Sequence, residues 1–197
     1  MSESASGLLI QFSPQLHAAA EKGPVIDLAC GNGRNGLALL AMGIDVVFAD
    51  RKVECLEAIQ QTLEETRRPG PRSTPLAQRN GEPAYWSVDF EVPGSAPLEG
   101  HLWGGAIVFR YLHRPLFTPL KNAIAPGGLV VYQTFTVDQA QYGRPKNPDF
   151  LLQHGELEDV FSEWDVLFSE EGVEPTADGS GKRALASIVA RKPAASV

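Results

Sequence analysis

A chain of 197 residues, 43% of them hydrophobic, is sized for a single packed domain over 1–197 and leaves no room for a separate catalytic domain. Its formal net charge of -7 opposes broad contact with a phosphate backbone, which argues against nucleic acid as a partner. No segment approaches the ~18 consecutive apolar residues of a membrane span, Met1 to Gly7 lacks the features of a secretory signal, and two cysteines support neither a disulfide framework nor a metal site, so a cytoplasmic, metal-free protein is expected.

The N-terminal segment, 1–22, reads as helical. Ser13 stands as an N-cap and Pro14 as the first residue of a short helix to Glu21, which Gly23-Pro24 stops. Val25-Ile26 opens a first strand, Gly31, Gly33 and Gly36 form a glycine turn, and Leu37 to Met42 continues as a helix with Gly43 as its C-terminal stop. The apolar run Asp45 to Ala49 is a second strand ending at Asp50. A helix follows from Val53 to about Arg67, with Val53, Leu56, Ile59 and Leu63 at helical spacing. Residues 68–83 are rich in Pro, Gly, Ser and Arg and read as a surface insertion; Arg68, Arg72 and Arg79 also suit an anion-binding lid.

Tyr85 to Val88 reads as a third strand ending at Asp89-Phe90, and Trp103 to Phe109 as a fourth. A helix over Pro115 to Ile124 leads through Ala125-Pro126-Gly127-Gly128 into a fifth strand, Leu129 to Phe135. The alternation of strands and helices predicts a doubly wound parallel sheet. Trp164 to Ser169 and Ala184 to Ala190 are strand-like runs with no helix between them, joined by a loop over Glu171 to Arg183, and two such strands must be antiparallel.

The glycine spacing alone fits any adenosine-bearing ligand, since glycines let the chain approach it and Asp50 at the next strand tip can accept from both ribose hydroxyls. Asp27 narrows the choice, because a carboxylate beside the turn suits an ammonium and a sulfonium and repels a pyrophosphate; as a bland alternative, it caps the turn. With Cys30-Gly31-Asn32-Gly33 it resembles motif I of class I S-adenosylmethionine-dependent methyltransferases, a resemblance that covers Leu8 to Pro193. That resemblance implies an α/β fold, a mostly parallel seven-stranded sheet with helices on both faces and a C-terminal antiparallel hairpin. It also implies that Asp27, Gly31, Gly33, Arg34, Asp50, Arg51, Asp89, Phe90 and Phe109 bind S-adenosylmethionine. Cys30 to Asn35, Asn147 to Leu157 and Ile188 to Lys192 are similar to the small tellurite-resistance-type methyltransferases. Those carry a His-Arg pair where this chain has Gly172-Val173-Glu174-Pro175-Thr176, so oxyanion methylation does not carry over.

Ligands of open α/β sheets bind outside the carboxyl ends of the strands, which places Arg110, Tyr111 and His113, with Arg114 beside them, as catalytic candidates. Arg110 suits an anion and Tyr111 could orient it; equally, one arginine pairs with a carboxylate while Tyr111 and His113 pack on the next helix. Gln133 to Thr136 lines the same region, and Gln141 to Lys146 reads either as a lid or as a plain connection. His17, His101 and His154 lack metal-ligand spacing and read as solvent-facing or capping residues. The expected activity is in-line methyl transfer to a small-molecule acceptor, soft or anionic (a thiol, a chalcogen oxyanion or a small acid), by a monomer or homodimer. The alternatives are a nicotinamide-dependent oxidoreductase and a non-catalytic cofactor-binding regulatory protein.

Overall fold

The computed structural model describes residues 5–65, 85–176 and 178–195. The 68–83 insertion, with its three arginines, lies outside the described residues. In chain order the elements are α1 (Gly7–Gln11), α2 (Ser13–Ala20), β1 (Val25–Leu28), α3 (Arg34–Ala41), β2 (Val46–Asp50), α4 (Val53–Glu65), β3 (Tyr85–Ser87), β4 (Trp103–Phe109), α5 (Phe117–Ala123), β5 (Ile124–Phe135), α6 (Glu156–Val160), β6 (Asp165–Pro175) and β7 (Lys182–Arg191). The seven strands form one sheet in the order β3-β2-β1-β4-β5-β7-β6. Pairing is parallel from β3 through β5 and antiparallel for β5 with β7 and β7 with β6. This is the doubly wound fold with a closing hairpin that the sequence predicts.

Strand alternation divides the core between the two faces. Val25, Val46, Phe48, Ile107, Val131 and Val189 pack under α1 to α4, with Leu9, Leu16, Leu39 and Ile59 from those helices. Ile26, Leu28, Val108, Val130, Tyr132 and Ile188 pack on the other face, with Leu120 of α5 and Leu157 of α6. Because β1, β2 and β4 are buried on both sides, they read as unbroken apolar runs.

Several boundaries differ from the sequence reading. Ser13 is not an N-cap: α1 runs directly into α2 through Phe12, whose carbonyl accepts from Leu16 N, and no side chain caps the junction. The short α1 carries too little periodicity to be read, yet it buries Leu8 and Leu9. Strand β5 begins at Ile124, five residues early in effect, because the turn glycines are drawn into the sheet: Gly127 N donates to Lys192 O and Lys192 N to Gly128 O, while the β4 pairing shifts register between Trp103 and Gly105. Most of the expected loop over Glu171 to Arg183 is strand, extended as far as the Glu174↔Arg183 and Pro175↔Lys182 pairs. Glycine stops α3 as expected, with Gly43 at φ 85.

Candidate functional site

The carboxyl ends of β1, β2 and β4 meet around the glycine turn. Gly31 takes φ 54 and donates its N–H to Asp50 Oδ2 at 2.8 Å, and Asp50 Oδ1 accepts from Lys52 N at 2.9 Å. Each carboxylate oxygen keeps a further acceptor site, so Asp50 anchors the turn and can still receive hydroxyls. A Cβ on Gly31 would meet nothing within 4 Å, so the backbone there faces open space. Gly33 has a different job. It is the N-cap of α3 at φ 70, and a Cβ on it would lie 2.5 Å from Ile59 Cδ1, so it serves helix packing and lines no cavity at the turn.

Asp27 is buried, with Oδ2 accepting from Gly36 N at 3.0 Å. Burial, opposed by that hydrogen bond and assisted by the nearby Asp50 carboxylate, pushes its pKa up to about 7. The bland reading of Asp27 as a capping residue is therefore realised, and the residue also faces a cavity. Asn35 is buried beside it, its Oδ1 accepting from Ser6 N at 3.0 Å, which ties the segment before α1 to the turn.

Three cavities converge here. One, of about 250 Å³, is lined by Ala29, Gly31, Asp50, Arg51, Asp89, Phe90, Glu91 and Tyr111. A second, of about 230 Å³, is lined by Asp27, Ala29, Gly31, Asn32, Arg34, Asn35 and Phe109. They share Ala29, Gly31 and Arg110, so they are two halves of one cleft over the turn. Eight of the nine residues expected to bind cofactor line it, Gly33 being the exception. Sequence reasoning missed Glu91, which holds the rim together: its backbone N donates to Asp89 Oδ1 at 2.9 Å, and its carboxylate lies 3.7 Å from Arg51 and accepts from the Tyr111 hydroxyl. Burial first, then Glu91, raises the Tyr111 pKa. Tyr111 thus stands on the Asp50–Asp89 side of the cleft.

The third cavity, of about 460 Å³, opens beside the second and shares Arg34 and Arg110 with it. Its walls come from the segment Ala5 to Leu8 and from β6 and β7, and Gln133 and Ser187 lie in its floor. Arg110 lines all three cavities. Its backbone is left-handed, φ 59, with N donating to Gln133 O at 2.8 Å; Ala29, across the cleft at the end of β1, is left-handed too, at φ 54. Non-glycine residues pay for that conformation, and such strain gathers at functional sites. Arg110→Gly is expected to be about 1 kcal/mol more stable than Arg110→Ala in urea unfolding, since both lose the side chain and only one relieves the backbone. Equal stabilities would show that the conformation carries no strain.

The other candidates stay outside these cavities. His113 precedes the 3-10 turn Arg114–Leu116, and its carbonyl accepts from Leu116 N. Arg114 is structural: Nε and Nη2 grip the Glu156 carboxylate at 2.6 and 2.8 Å, and the guanidinium also reaches the carbonyls of Asp149 and Leu151. The loop Gln141 to Lys146 is fastened by Gln139, which donates to Arg144 O and accepts from Ala184 N. His17 bonds the carbonyls of Ser13 and Met42, His154 pairs with Glu171, and His101 stacks on Trp103. Among the described residues no helix is long and apolar enough to cross a membrane.

Residues 16–70 match the family model of the tellurite resistance protein TehB. The structure resembles TehB from Haemophilus influenzae with a TM-score of 0.66 at 20% identity, covering 91% of this chain and 62% of that one. The chain therefore spans under two thirds of that protein's length. It also resembles an S-adenosylmethionine-dependent methyltransferase from Methanosarcina mazei (TM-score 0.62, 13% identity, 98% of this chain and 100% of that). A third likeness is to the glycopeptide N-methyltransferase MtfA in complex with sinefungin (0.57, 16%, 98% and 88%). Comparison with curated protein sequences gives no significant match. At these identities the likenesses establish that the chain has the class I methyltransferase fold.

Proposed function

We propose that this protein binds S-adenosylmethionine in the cleft over the glycine turn and transfers its methyl group to a small molecule held in the adjoining 460 Å³ cavity. One observation carries the reading: the cleft has a carboxylate pair, Asp50 and Asp89, in one half and the buried Asp27 in the other, joined across the open face of Gly31. An adenosine with two ribose hydroxyls suits the first half, and Phe90 offers it an apolar wall. The ammonium of the donor's amino-acid end suits the second, where Asp27 and the Asn32 and Asn35 amides lie. A pyrophosphate would face Asp27 and Asp50 together, which disfavours a nicotinamide cofactor.

When bound, the sulfonium supplies a methyl carbon whose bond to sulfur breaks as an acceptor lone pair bonds to it, leaving a neutral thioether. The chain's own contribution is alignment, since holding two reactants in contact along the reaction axis can account for most of the barrier reduction. Asp50 would hold the donor through its sugar, with Asp89 and Phe90 on the adenine side of the same half. Phe109 walls the Asp27 half of the cleft, and Arg110, which lines all three cavities, orients polar groups where they meet. An acceptor already deprotonated needs no base; Glu91 is engaged with Tyr111 and Arg51, and none of these is required to move a proton.

Calorimetric titration with S-adenosylmethionine, its demethylated product and both nicotinamide cofactors tests the reading. Micromolar binding of the first two is expected; tight nicotinamide binding with no affinity for either would overturn it. Release of the demethylated product across a panel of thiols, oxyanions, amines and carboxylic acids then separates an enzyme from a regulatory binding protein, for which every acceptor stays silent.

A further inference from the structure

The third cavity is floored by one row of paired residues running across the sheet. Register sets Phe109 beside Gln133, Gln133 beside Ser187 and Ser187 beside Glu170, all on the face that carries α1 to α4. The neighbouring row, Ile107, Val131, Val189 and Phe168, is apolar and mostly buried, as that face requires. A polar row in its place is costly unless its groups are satisfied. Gln133 Nε2 donates to Ser187 Oγ at 2.9 Å, and Glu170 ends the row at the cavity's outer wall. With strands about 4.8 Å apart, Glu170 lies roughly 14 Å from Phe109 along this lane.

The two ends of the lane are opposite in charge. Arg34 and Arg110 stand at the donor cleft, whereas Glu170 stands at the far end with Glu174 beyond it, the latter bonded at 2.7 Å to Arg183 Nε. Gly172 lies between the two acids on the same strand face, and a Cβ there would meet nothing within 4 Å, which leaves the wall open. A volume of about 460 Å³ far exceeds what one inorganic oxyanion fills, given that a water occupies about 30 Å³. An oxyanion at the far end would also face the Glu170 carboxylate, while Arg183, which lines the same wall, is engaged with Glu174.

Resting on the methyl-transfer reading above, we propose that the acceptor is a small zwitterion of amino-acid to dipeptide size. Its anionic group, a carboxylate, lies at the Arg34–Arg110 end, where one of its oxygens forms the new bond to the methyl carbon as the carbon–sulfur bond breaks, with no proton to remove, and its cationic nitrogen is met by Glu170. A carboxylate matches the planar guanidinium fork, and the ammonium completes the lane with a partner for Glu170. Gln133 and Ser187 hydrogen-bond whatever polar groups lie between.

The full-length protein, saturated with demethylated donor, is titrated with α-amino acids, straight-chain amino acids of increasing length and glycine dipeptides. Each is paired with its N-acetyl derivative and methyl ester, and selenite serves as the oxyanion probe. At least one zwitterion is expected to bind tenfold or more tightly than either capped form and than selenite. Glu170→Gln should weaken that zwitterion about fivefold, the scale of one exposed ion pair, and leave its N-acetyl derivative unchanged. Gly172→Leu, filling the open wall, should abolish acceptor binding while the demethylated donor binds within twofold of wild type. Selenite or a capped form binding as tightly as every zwitterion, indifference to Glu170→Gln, or no zwitterion binding to a donor-loaded protein overturns the proposal and leaves the donor reading intact. Failure of the donor to bind at all overturns both.

Discussion

Replacing Asp50 with alanine is expected to weaken binding of S-adenosylmethionine and its demethylated product about a hundredfold, roughly 2.7 kcal/mol. Two losses combine. The donor loses the acceptor for its ribose hydroxyls, and hydrogen bonds to a charged group contribute about 1.5–3 kcal/mol each. The turn loses its tether as well, because Gly31 N and Lys52 N both donate to this carboxylate. Asp50→Asn separates the effects: its amide oxygen can hold one of the two backbone N–H groups, so the turn is partly kept while charge is lost. Calorimetric affinities in the order wild type, Asn, Ala are expected. An alanine variant with wild-type affinity would show that the ribose lies elsewhere in the cleft.

The donor cleft was legible from sequence because Asp27, Asp50 and Asp89 lie at or beside the carboxyl ends of β1, β2 and β3. Asp50 follows an apolar run whose length fixes where the strand stops, and Asp27 follows Val25-Ile26, so parallel pairing brings both to one edge. The acceptor cavity was not legible. Ser187 and Glu170 carry no motif, and they reach Gln133 only through the pairing of β5, β7 and β6, which is set by registers far apart in sequence. The cavity's other wall precedes and includes α1, whose five residues are too few to show a period. Tyr111 parts from Arg110 for a local reason. The strand alternation that ends at Phe109 is broken by the left-handed backbone of Arg110, which separates the two neighbours, the arginine lining the three cavities at the turn and the tyrosine only the donor half and a small void beneath it. His113 and Arg114 follow the same break and turn to the 3-10 segment, where Glu156, distant in sequence, takes the guanidinium.

Asp27→Asn should stabilise the ligand-free protein and impair it as a donor-binding protein. Asp27 is pushed up to about 7 from an ordinary 3.8, chiefly by burial, with Asp50 raising it further and Arg34 and the Gly36 N–H opposing. An acid whose folded pKa is raised contributes stability that is fully present below 3.8 and is lost as pH climbs toward 7, because across that window the unfolded chain sheds a proton that the folded chain keeps. The full shift corresponds to about 4 kcal/mol of stability missing above pH 7. Asparagine keeps an acceptor for Gly36 N–H and removes the ionisation, so at pH 8 the variant is expected to unfold at higher urea concentration by about 2–4 kcal/mol, with the difference vanishing near pH 4. The ammonium end of the donor reverses the balance. Its charge favours the ionised carboxylate, so donor affinity in the wild type should fall about tenfold per unit as pH drops below 7, while the asparagine variant binds at least tenfold more weakly at pH 8 and shows no such slope. A stability difference that does not change between pH 5 and 8 would place Asp27 among ordinary surface carboxylates, and an unchanged donor affinity at pH 8 would remove it from the site.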